Sequence, residues 1–559
     1  MNNGIFGIDL GTTYSCIAYV DEFGKAVTIR NADGEMTTPS VVYFEDTEKQ
    51  IVGTEAKTSM VMEPENTVAF IKREMGTDFR REIHGVSYSP QEISSKILKK
   101  VVGDANAALR EQGILKQDEE IKKAVITCPA YFGMAEKDAT KNAGIIAGLD
   151  VLDIINEPTA AAINYGVINA DQKKNVLVYD LGGGTFDVTI ISIGGNSINV
   201  VCTGGDPKLG GKDWDNQLKD YLVERWKKEM DTDEDISEDL ETLSALMESA
   251  EKAKKTLSTK DTAKIIVNHE GERMKVEITR EMYDNMTGRL LERTIELTNS
   301  CLTEAEKKGI SLAQIDEILL VGGSSRMPQV KAMVEKTYGK PTNLFDPDEA
   351  VAKGAALYAQ DINQYQIIIE ALAEKTGKST EQVEKEAKEG MDLHLAAKRA
   401  GVSLGCIPTG GKLDIKNVSS RTYGIVTIID ERTKQKAVSN FIFQNDTLPC
   451  TEVKVFDTIE DGNGVQFPLY ESLSDQKLLE NYKELATEMT VFQMEFDRVL
   501  PKGTEIEVKM TLNNSGLITI EAEELVNHKK ANFTFQIKNS LDENEMKNAM
   551  LRSSASKVE

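Results

Sequence analysis

The sequence contains few of the residues that build metal centres and disulfide frameworks. Its six cysteines are scattered without a C-x-x-C pair, and its four histidines are equally dispersed. This argues against a zinc site, a disulfide scaffold and a Ser/His triad. No stretch approaches the roughly 18 apolar residues of a membrane helix. The amino terminus also lacks the basic and apolar regions of a secretory signal. We therefore expect a cytoplasmic protein that does not bind a membrane.

Positive charge is also scarce. The chain has 66 Lys and Arg against 91 Asp and Glu, which gives a net charge of −25. This excess of acid disfavours nucleic acid as a partner. With 40% hydrophobic and 28% charged residues, the composition is typical of a globular protein. A chain of 559 residues is too long for one core and predicts about three or four domains.

One motif occurs twice, in Gly7–Thr13 and in Val178–Thr185. Each copy has an apolar run, an Asp-Leu-Gly, a turn of glycine or threonine and a second apolar run. Such a pattern predicts a β-hairpin. An acid at the mouth of the hairpin can hold a metal while backbone N–H groups bind phosphate. The duplication therefore predicts two related lobes with a phosphate chain between them. Neither copy is a Walker A loop, because no Gly-Lys-Ser/Thr follows.

A third glycine turn supports a nucleotide site. Glu317–Val321 reads as a buried strand that runs into Gly322–Arg326, and Pro328 follows at the first position of a helix. A glycine turn of this kind lets a planar base approach the backbone closely. A single Asp-Leu-Gly-Thr is more often a simple turn, but the duplicate and this third element favour nucleotide binding.

The pattern of apolar residues divides the chain into four segments. Residues 1–361 alternate strand-like and helical runs, as in α/β architecture, and Ser89 and Thr279 are predicted to cap two of the helices. Residues 362–411 contain a helical insertion, with a predicted capping box at Ser379, and a glycine-rich linker.

Residues 412–540 change to the period of two that is typical of antiparallel strands, as in the predicted strand 532–537. Residues 541–559 are a polar tail that forms at most a short helix.

Together these motifs resemble the seventy-kilodalton, DnaK-like heat-shock chaperone family over nearly the whole chain. The residues that carry the resemblance are Gly7–Cys16, Pro129–Phe132, Asn156–Ala162, Asp180–Val188, Leu209–Gly211, Glu251–Ser258, Val321–Arg326 and Pro347–Ala352. The resemblance implies an actin-like two-lobed ATPase domain with duplicated RNase H-like lobes, followed by an all-β peptide-binding sandwich. The polar tail, a remnant of the family's helical lid, identifies a lidless or truncated member.

The resemblance also implies a slow, Mg²⁺-dependent ATP hydrolase that binds ATP or ADP, Mg²⁺ and K⁺. Asp9, Asp180 and Glu157 would hold the waters around Mg²⁺, and Asp187 would help to bind K⁺. Lys72 would position the attacking water, although a lysine is by default a surface residue. These roles suit phosphoryl transfer, which depends on positioning and on neutralisation of charge.

The remaining nucleotide contacts implied by the resemblance lie on the turns and on one long helix. Glu251, Lys254, Lys255 and Ser258 on that helix would contact the ribose and adenine, and Arg326 and Asp348 would close the base pocket. The turn residues are Gly11, Thr12, Thr13, Tyr14, Gly182, Gly183, Gly184, Thr185, Gly322, Gly323 and Ser324. The alternative for the acid and lysines of the helix is ordinary pairing at i,i+4 on its surface.

The β-module resembles the family's peptide-binding sandwich. Six residues would line a slot for an extended apolar peptide, namely Ile425, Thr427, Ile428, Ile459, Val465 and Phe467. The alternative is that these residues form the core of the sandwich. The partners implied by the family are unfolded or extended peptides, a J-domain co-chaperone and a nucleotide exchange factor.

The chain departs from the family's pattern at three places that bear on coupling between its domains. The linker Lys412–Val418 is more polar than usual, which predicts little apolar area for docking. Ser420 and Arg421 replace a proline and a leucine before the first strand of the cleft, and Lys137 replaces an arginine. Because a lidless slot does not slow the escape of peptide, we expect weak, fast-exchanging binding. Because the linker is polar, we expect less than about a tenfold difference in affinity between the ATP and ADP states.

Three functions compete on this evidence. The motifs favour an ATP-driven chaperone that binds extended apolar peptides. The alternative is a nucleotide switch or exchange-factor-like scaffold with little ATPase activity. A sugar or metabolite kinase on the same fold lacks support, because the β-module carries no catalytic cluster recognisable in the sequence.

Overall fold

The computed structural model of the protein describes residues 4–168, 173–194, 197–388, 391, 393–401, 413–513, 516–533 and 541–559. Within these ranges, no helix is long and apolar enough to cross a membrane.

The first lobe contains a six-stranded sheet with the strand order β11-β10-β1-β2-β3, in which β4 also pairs with β2. Strands β1 and β2 form an antiparallel hairpin, and β10 and β11 extend the sheet in parallel from β1. In chain order the elements are β1 (Phe6–Asp9), β2 (Tyr14–Val20), β3 (Ala26–Thr28), β4 (Thr37–Pro39), β5 (Val41–Phe44), β6 (Lys49–Val52), α1 (Thr54–Met62), β7 (Thr67–Ala69), β8 (Arg81–Ile83), β9 (Val86–Tyr88), α2 (Pro90–Glu111), β10 (Lys123–Cys128), α3 (Met134–Ile146), β11 (Asp150–Asn156) and α4 (Glu157–Ile168).

The second lobe repeats this plan. Its sheet has the order β18-β17-β12-β13-β14, in which β12 and β13 form the hairpin while β17 and β18 extend it in parallel. The elements are β12 (Lys174–Leu181), β13 (Phe186–Gly194), β14 (Ser197–Asp206), α5 (Gly211–Glu229), α6 (Leu240–Leu257), β15 (Thr262–His269), β16 (Glu272–Thr279), α7 (Arg280–Lys307), β17 (Glu317–Val321), α8 (Pro328–Tyr338), β18 (Thr342–Leu344) and α9 (Ala350–Thr376).

Local signals in the sequence explain where the helices of the two lobes begin. Helix α2 starts with a capping box in which the Ser89 side chain accepts a hydrogen bond from the backbone N–H of Glu92. The Thr279 side chain caps α7 by accepting a hydrogen bond from the backbone N–H of Met282, and Pro328 opens α8 at its first turn. These three predicted helix starts are confirmed.

A small helical unit follows the second lobe. Helix α9 continues to Thr376, and α10 (Thr380–Lys388) and α11 (Leu393–Arg399) pack against its carboxyl-terminal half. Ile368, Leu372 and Val383 are buried between them. The predicted capping box at Ser379 is present, because its hydroxyl accepts from Gln382 N at 3.2 Å.

The linker that follows is docked, which corrects the expectation that it offers little to dock. Strand β19 (Asp414–Lys416) adds to the edge of the second-lobe sheet in parallel with β14. Leu413 and Val418 are buried in the core between the lobes, and Ile415 packs against that core. Asp414 and Lys416 face outward. The charges therefore lie on the solvent side of a strand whose other face is apolar.

The β-module consists of two antiparallel sheets that share one apolar core. One sheet has the order β24-β21-β20-β23-β25, and the other has the order β22-β26-β27-β28. The predicted strand 532–537 begins within β28, and residues 534–537 lie outside the described ranges. The elements are β20 (Thr422–Asp430), β21 (Gln435–Ile442), β22 (Cys450–Asp457), β23 (Gly462–Ser472), β24 (Leu478–Leu479), α12 (Tyr482–Leu485), β25 (Ala486–Leu500), β26 (Glu505–Leu512), β27 (Ile518–Glu524) and β28 (Lys529–Phe533).

The last segment lies on the first lobe. Helix α13 (Glu543–Ala555) contacts α2 and α3, and β29 (Lys557–Val558) pairs in parallel with β6. The guanidinium of Arg552 donates to Glu92 Oε1 at 2.9 Å from Nε. The Lys96 ammonium, which is buried, donates to Ser556 Oγ at 2.6 Å. The predicted short helix is present, and it is held by polar contacts with α2.

The sandwich is also docked on both lobes. Ser420 Oγ donates to the carbonyl of Phe132 at 2.8 Å, and Met134 of α3 is buried in the core of the sandwich. On the other side, the backbone N–H of Thr203 donates to Asn445 Oδ1 at 2.8 Å. Ser420 thus joins the sandwich to the first lobe, and Asn445 joins it to the second lobe.

Candidate functional site

A cavity of about 570 Å³ lies between the two lobes. It is lined by both Asp-Leu-Gly turns, by α6 and by the glycine turn after β17. The predicted residues in its lining are Asp9, Gly11, Thr12, Thr13, Tyr14, Lys72, Glu157, Asp180, Gly182, Gly183, Thr185, Glu251, Lys254, Lys255, Ser258, Gly322, Gly323, Ser324, Arg326 and Asp348. Gly184 and Asp187, also predicted, lie behind this lining.

The two turns face one another at the centre of the cavity. A Cβ added at Gly183 would lie 1.8 Å from Thr13 Oγ1, and one at Gly184 would lie 2.3 Å from Thr12 Cγ2. Glycine is therefore required where the two hairpin turns approach. Arg73 of the first lobe donates to the carbonyl of Gly184 at 2.8 Å and fixes this turn across the cleft.

The carboxyl groups of Asp9, Glu157 and Asp180 lie at one end of the cavity, its floor, and give this end an excess of acidic groups. Burial, followed by the charge of Glu157, raises the pKa of Asp9 to about 7, and burial also raises the pKa values of Asp180 and Asp187 well above the ordinary range. Thr127 Oγ1 donates to Asp9 Oδ1 at 3.1 Å, and the backbone N–H of Ala130 donates to Asp187 Oδ1 at 3.1 Å. A cation bound among these acids would favour their ionised forms.

The donors suit a hydrated cation. In the part of the chain that the structure describes, no three His, Cys, Asp or Glu side chains are grouped to ligate one metal ion directly. Mg²⁺ usually keeps several waters and takes few protein ligands. The acids of the cavity floor therefore fit a metal that they contact through water.

Lys72 is the cation of the cavity floor. It lies in the 3-10 turn Ile71–Glu74, which follows Phe70 at a φ of 61°. Lys72 is 5% exposed, and its ammonium pairs with Glu157. Burial by itself lowers the pKa of Lys72, but the charges of Glu157 and Asp9 raise it above its ordinary value. Lys72 is thus buried and charged, and it is not the surface residue that a lysine usually is.

At the other end of the cavity, Glu251 of α6 joins the two lobes. The Tyr14 hydroxyl donates to Glu251 Oε1 at 3.1 Å, and the ammonium groups of Lys57 and Lys255 both pair with this carboxylate. Burial opposes ionisation of Glu251, but the two lysines lower its pKa to about 2. The pair with Lys255 is the expected i,i+4 contact, whereas Tyr14 and Lys57 reach α6 from the first lobe.

Several charged residues at the cavity were not predicted from the sequence, among them Arg73, Lys212, Lys57 and Asp215. Lys57 belongs to the bridge just described, and Asp215 of α5 holds Lys254. The Lys254 ammonium donates to Asp215 Oδ2 at 2.6 Å and to the carbonyl of Gly211 at 2.9 Å. Burial raises the pKa of Asp215 to about 6 against the effect of Lys254. The signal that could have revealed Asp215 is its position four residues after Gly211, one turn into the helix that the paired glycines open.

Arg326 and Asp348 form an ion pair at the rim of the cavity. Both side chains are partly exposed, which leaves them accessible to a bound molecule. The structure therefore brings together the predicted residues of the turns, the floor and the base end in one cleft.

The six predicted peptide-binding residues differ in burial. Ile425 and Phe467 are buried in the core of the sandwich, and Val465 packs against that core. Thr427, Ile428 and Ile459 are half-buried. Ile425 and Phe467 thus occupy the core positions that were the alternative to a slot.

Comparisons with known proteins agree with these observations. A model of the family described as Hsp70 protein matches residues 5–84, 80–366 and 381–559. Proteins named Chaperone protein DnaK from Thermotoga petrophila and Thermotoga maritima are each 38% identical over 556 residues, covering 97% of this chain and 82% of the relative. The protein of the same name from Thermosipho africanus is 36% identical over 555 residues, covering 97% and 81%. None of these names favours the exchange-factor-like alternative. The predicted resemblance is confirmed, and the chain belongs to the Hsp70 family of ATP-dependent chaperones.

Proposed function

We propose that this chain hydrolyses ATP in the cavity between its lobes and uses the ATP cycle to change the affinity of the sandwich for extended apolar peptides. The observation that carries the proposal is the cavity itself, in which two Asp-Leu-Gly turns face each other above an excess of buried acid. Backbone N–H groups of such turns suit a phosphate chain, and the acids suit its cation.

The metal roles are those implied by the family, and the buried acids of the cavity floor support them. Asp9, Asp180 and Glu157 hold the waters of Mg²⁺, which neutralises charge on the phosphates when it is bound. Asp187, which is buried behind the turn, helps to hold K⁺. The buried acids of the floor outnumber Lys72, which pairs with Glu157, and this excess of negative charge supports both assignments.

Lys72 positions the water that attacks the terminal phosphate. Its ammonium is buried among acids and is held by Glu157, so it has a fixed place beside the phosphate turns. Hydrolysis of a phosphoanhydride needs in-line positioning and charge stabilisation more than covalent help.

The base end of the cavity binds the nucleoside. Glu251, Lys254, Lys255 and Ser258 contact the ribose and adenine from α6, and the pair Arg326–Asp348 closes over the base. Gly322, Gly323 and Ser324 give the base close access to the backbone.

The matching plans of the two sheets support an actin-like ATPase domain with duplicated RNase H-like lobes in residues 1–361. Residues 412–540 form the peptide-binding sandwich, residues 362–411 form the helical insertion and linker, and residues 541–559 form a terminal segment that packs on the first lobe. The six residues Ile425, Thr427, Ile428, Ile459, Val465 and Phe467 line or support the slot for peptide.

The partners are extended segments of unfolded proteins, a J-domain co-chaperone and a nucleotide exchange factor. The compartment, the cytoplasm, stays a prediction from the sequence.

Steady-state ATP hydrolysis with and without an extended apolar peptide tests the proposal. We expect slow hydrolysis that the peptide accelerates. An exchange-factor-like scaffold would hydrolyse no ATP in either condition, and a metabolite kinase would consume ATP only with a small acceptor.

A further inference from the structure

Three charged side chains meet where the sandwich docks on the first lobe. Glu136 lies on α3 of the first lobe, Arg421 directly precedes β20, and Glu471 lies on β23. Arg421 Nη2 lies 3.6 Å from Glu136 Oε1, and the exposed fractions of their side chains are 16% and 20%. The two domains thus bury charge against each other.

The two carboxyl groups converge on one point beside Gly133. A Cβ added at Gly133 would lie 2.9 Å from Glu471 Oε2 and 3.1 Å from Glu136 Oε2. These two oxygens and Arg421 Nε are buried and have no hydrogen-bond partner among the described residues. With both acids ionised, the cluster holds two negative charges against one positive charge, which is costly away from water.

Among the described residues, Arg421 is the cation paired with this cluster. Lys137, which follows Glu136 on α3, lines the adjoining crevice beside Gly133. The phenols of Tyr131 and Tyr423 also lie beside the cluster, and their pKa values are well above the ordinary range, chiefly because they are buried. Both phenols are therefore neutral near pH 7. The least costly way to balance the cluster is to add a proton to one of the two carboxylates.

We propose that Glu136, Arg421 and Glu471 form a proton-binding site that exists only when the sandwich is docked on the first lobe. The proton is held by the Glu471 carboxyl group, while Arg421 balances the negative charge of Glu136. Docking therefore takes up a proton, and acid favours the docked arrangement.

The pKa of Glu471 gives the pH range of this effect. Burial, followed by the charge of Glu136, raises it to about 7, although Arg421 opposes the rise. A glutamate exposed on a separated sandwich would have a pKa near 4.3. Because the docked pKa is the higher one, docking is fully favoured below about pH 4 and loses this contribution as the pH rises through about 7. Linkage of one proton predicts that the docking equilibrium constant falls about tenfold between pH 6 and pH 8.

Energy transfer between dyes on the two domains can measure docking directly. Phe23 on the first lobe and Val526 on the sandwich are 81% and 68% exposed and accept labels without disturbing a core. The docked fraction of the full chain is measured from pH 6 to pH 8, in each nucleotide state. We expect the fall of about tenfold for the parent protein in the state that docks.

Glu471→Gln and Glu136→Gln test the site from its two sides, because each removes one of the facing charges and keeps the size of the side chain. Both variants should dock at pH 8 at least as well as the parent does at pH 6, and both should lose the pH dependence. Glu452→Gln, at an exposed position of the sandwich, is the matched control and should keep it. Thermal unfolding verifies that each variant is folded. Docking of the parent that does not change with pH, or an unchanged slope in both cluster variants, would overturn the proposal.

Discussion

At the scale of single residues, Lys72 is the sharpest test of the hydrolytic site. Replacement by Ala removes an ammonium that is needed only to position water, so kcat should fall by about 100-fold or more while nucleotide affinity changes little. Single-turnover hydrolysis and equilibrium binding of ADP measure the two effects separately.

Lys208→Ala is the control for this experiment, because Lys208 is exposed. That variant should hydrolyse ATP at the parent rate. If Lys72→Ala did the same, the role of Lys72 would be wrong.

Asp215 gives a second prediction at this scale. Asp215→Asn should loosen Lys254, which it holds at 2.6 Å, and weaken ADP binding by about tenfold. Because Asp215 acts through Lys254, Lys254→Met should weaken binding as well, and the double variant should be no worse than Lys254→Met alone. Calorimetric titration with ADP measures all three. Losses that simply add would show that Asp215 acts independently of Lys254.

The sequence predicted the residues of this site where they belong to short local motifs. The turns at Asp9 and Asp180 and the glycines after Val321 were found because each hairpin or turn is encoded by adjacent residues. Lys57 and Asp215 were missed, because their partners Glu251 and Lys254 are brought to them only by the tertiary fold.

At the scale of elements, the docked linker strand β19 makes the clearest prediction. Leu413 is 7% exposed in the core between the lobes. Leu413→Asp places a charge there and should cost about 2–3 kcal/mol or more, enough to release the strand. We expect faster hydrogen exchange at the amides of 414–416 and loss of the stimulation of ATP hydrolysis by peptide.

Asp414→Asn is the matched change on the outward face of the same strand. It should leave both the exchange rates and the stimulation as in the parent. Protection of 414–416 that survived Leu413→Asp would show that the backbone pairing with β14 holds the strand without its apolar face.

The linker also shows why a prediction from composition failed. Its charges suggested little apolar area, but Leu413 and Ile415 alternate with Asp414 and Lys416, and the period of two of a strand puts the two sets on opposite faces. Helices α2, α7 and α8 were predicted correctly, because their caps at Ser89, Thr279 and Pro328 are local signals.

At the scale of the whole molecule, the duplicated lobes followed from the sequence but the contacts between domains did not. Arg421 was seen only as a departure from the family, although it meets Glu136 across the interface. The pairing of β29 with β6 was also not predicted from the sequence. Contacts of this kind depend on how folded units dock, and no local pattern of residues encodes that.

The central claim is that ATP binding between the lobes controls peptide binding in the sandwich. The polar linker predicted a weak effect, but its docking on the second lobe, together with the contacts of Ser420 and Asn445, joins the two sites in one arrangement. A ligand shifts such an arrangement by its difference in affinity for the two states. The coupling should therefore be larger than the composition of the linker suggested.

Fluorescence anisotropy of a labelled apolar heptapeptide, titrated with the full chain in saturating ATP and in saturating ADP, tests this claim most directly. We predict that the two dissociation constants differ by more than about tenfold, or ~1.4 kcal/mol, with weaker binding in ATP. Equal dissociation constants in the two nucleotide states would contradict the account, because the cavity and the sandwich would then act independently.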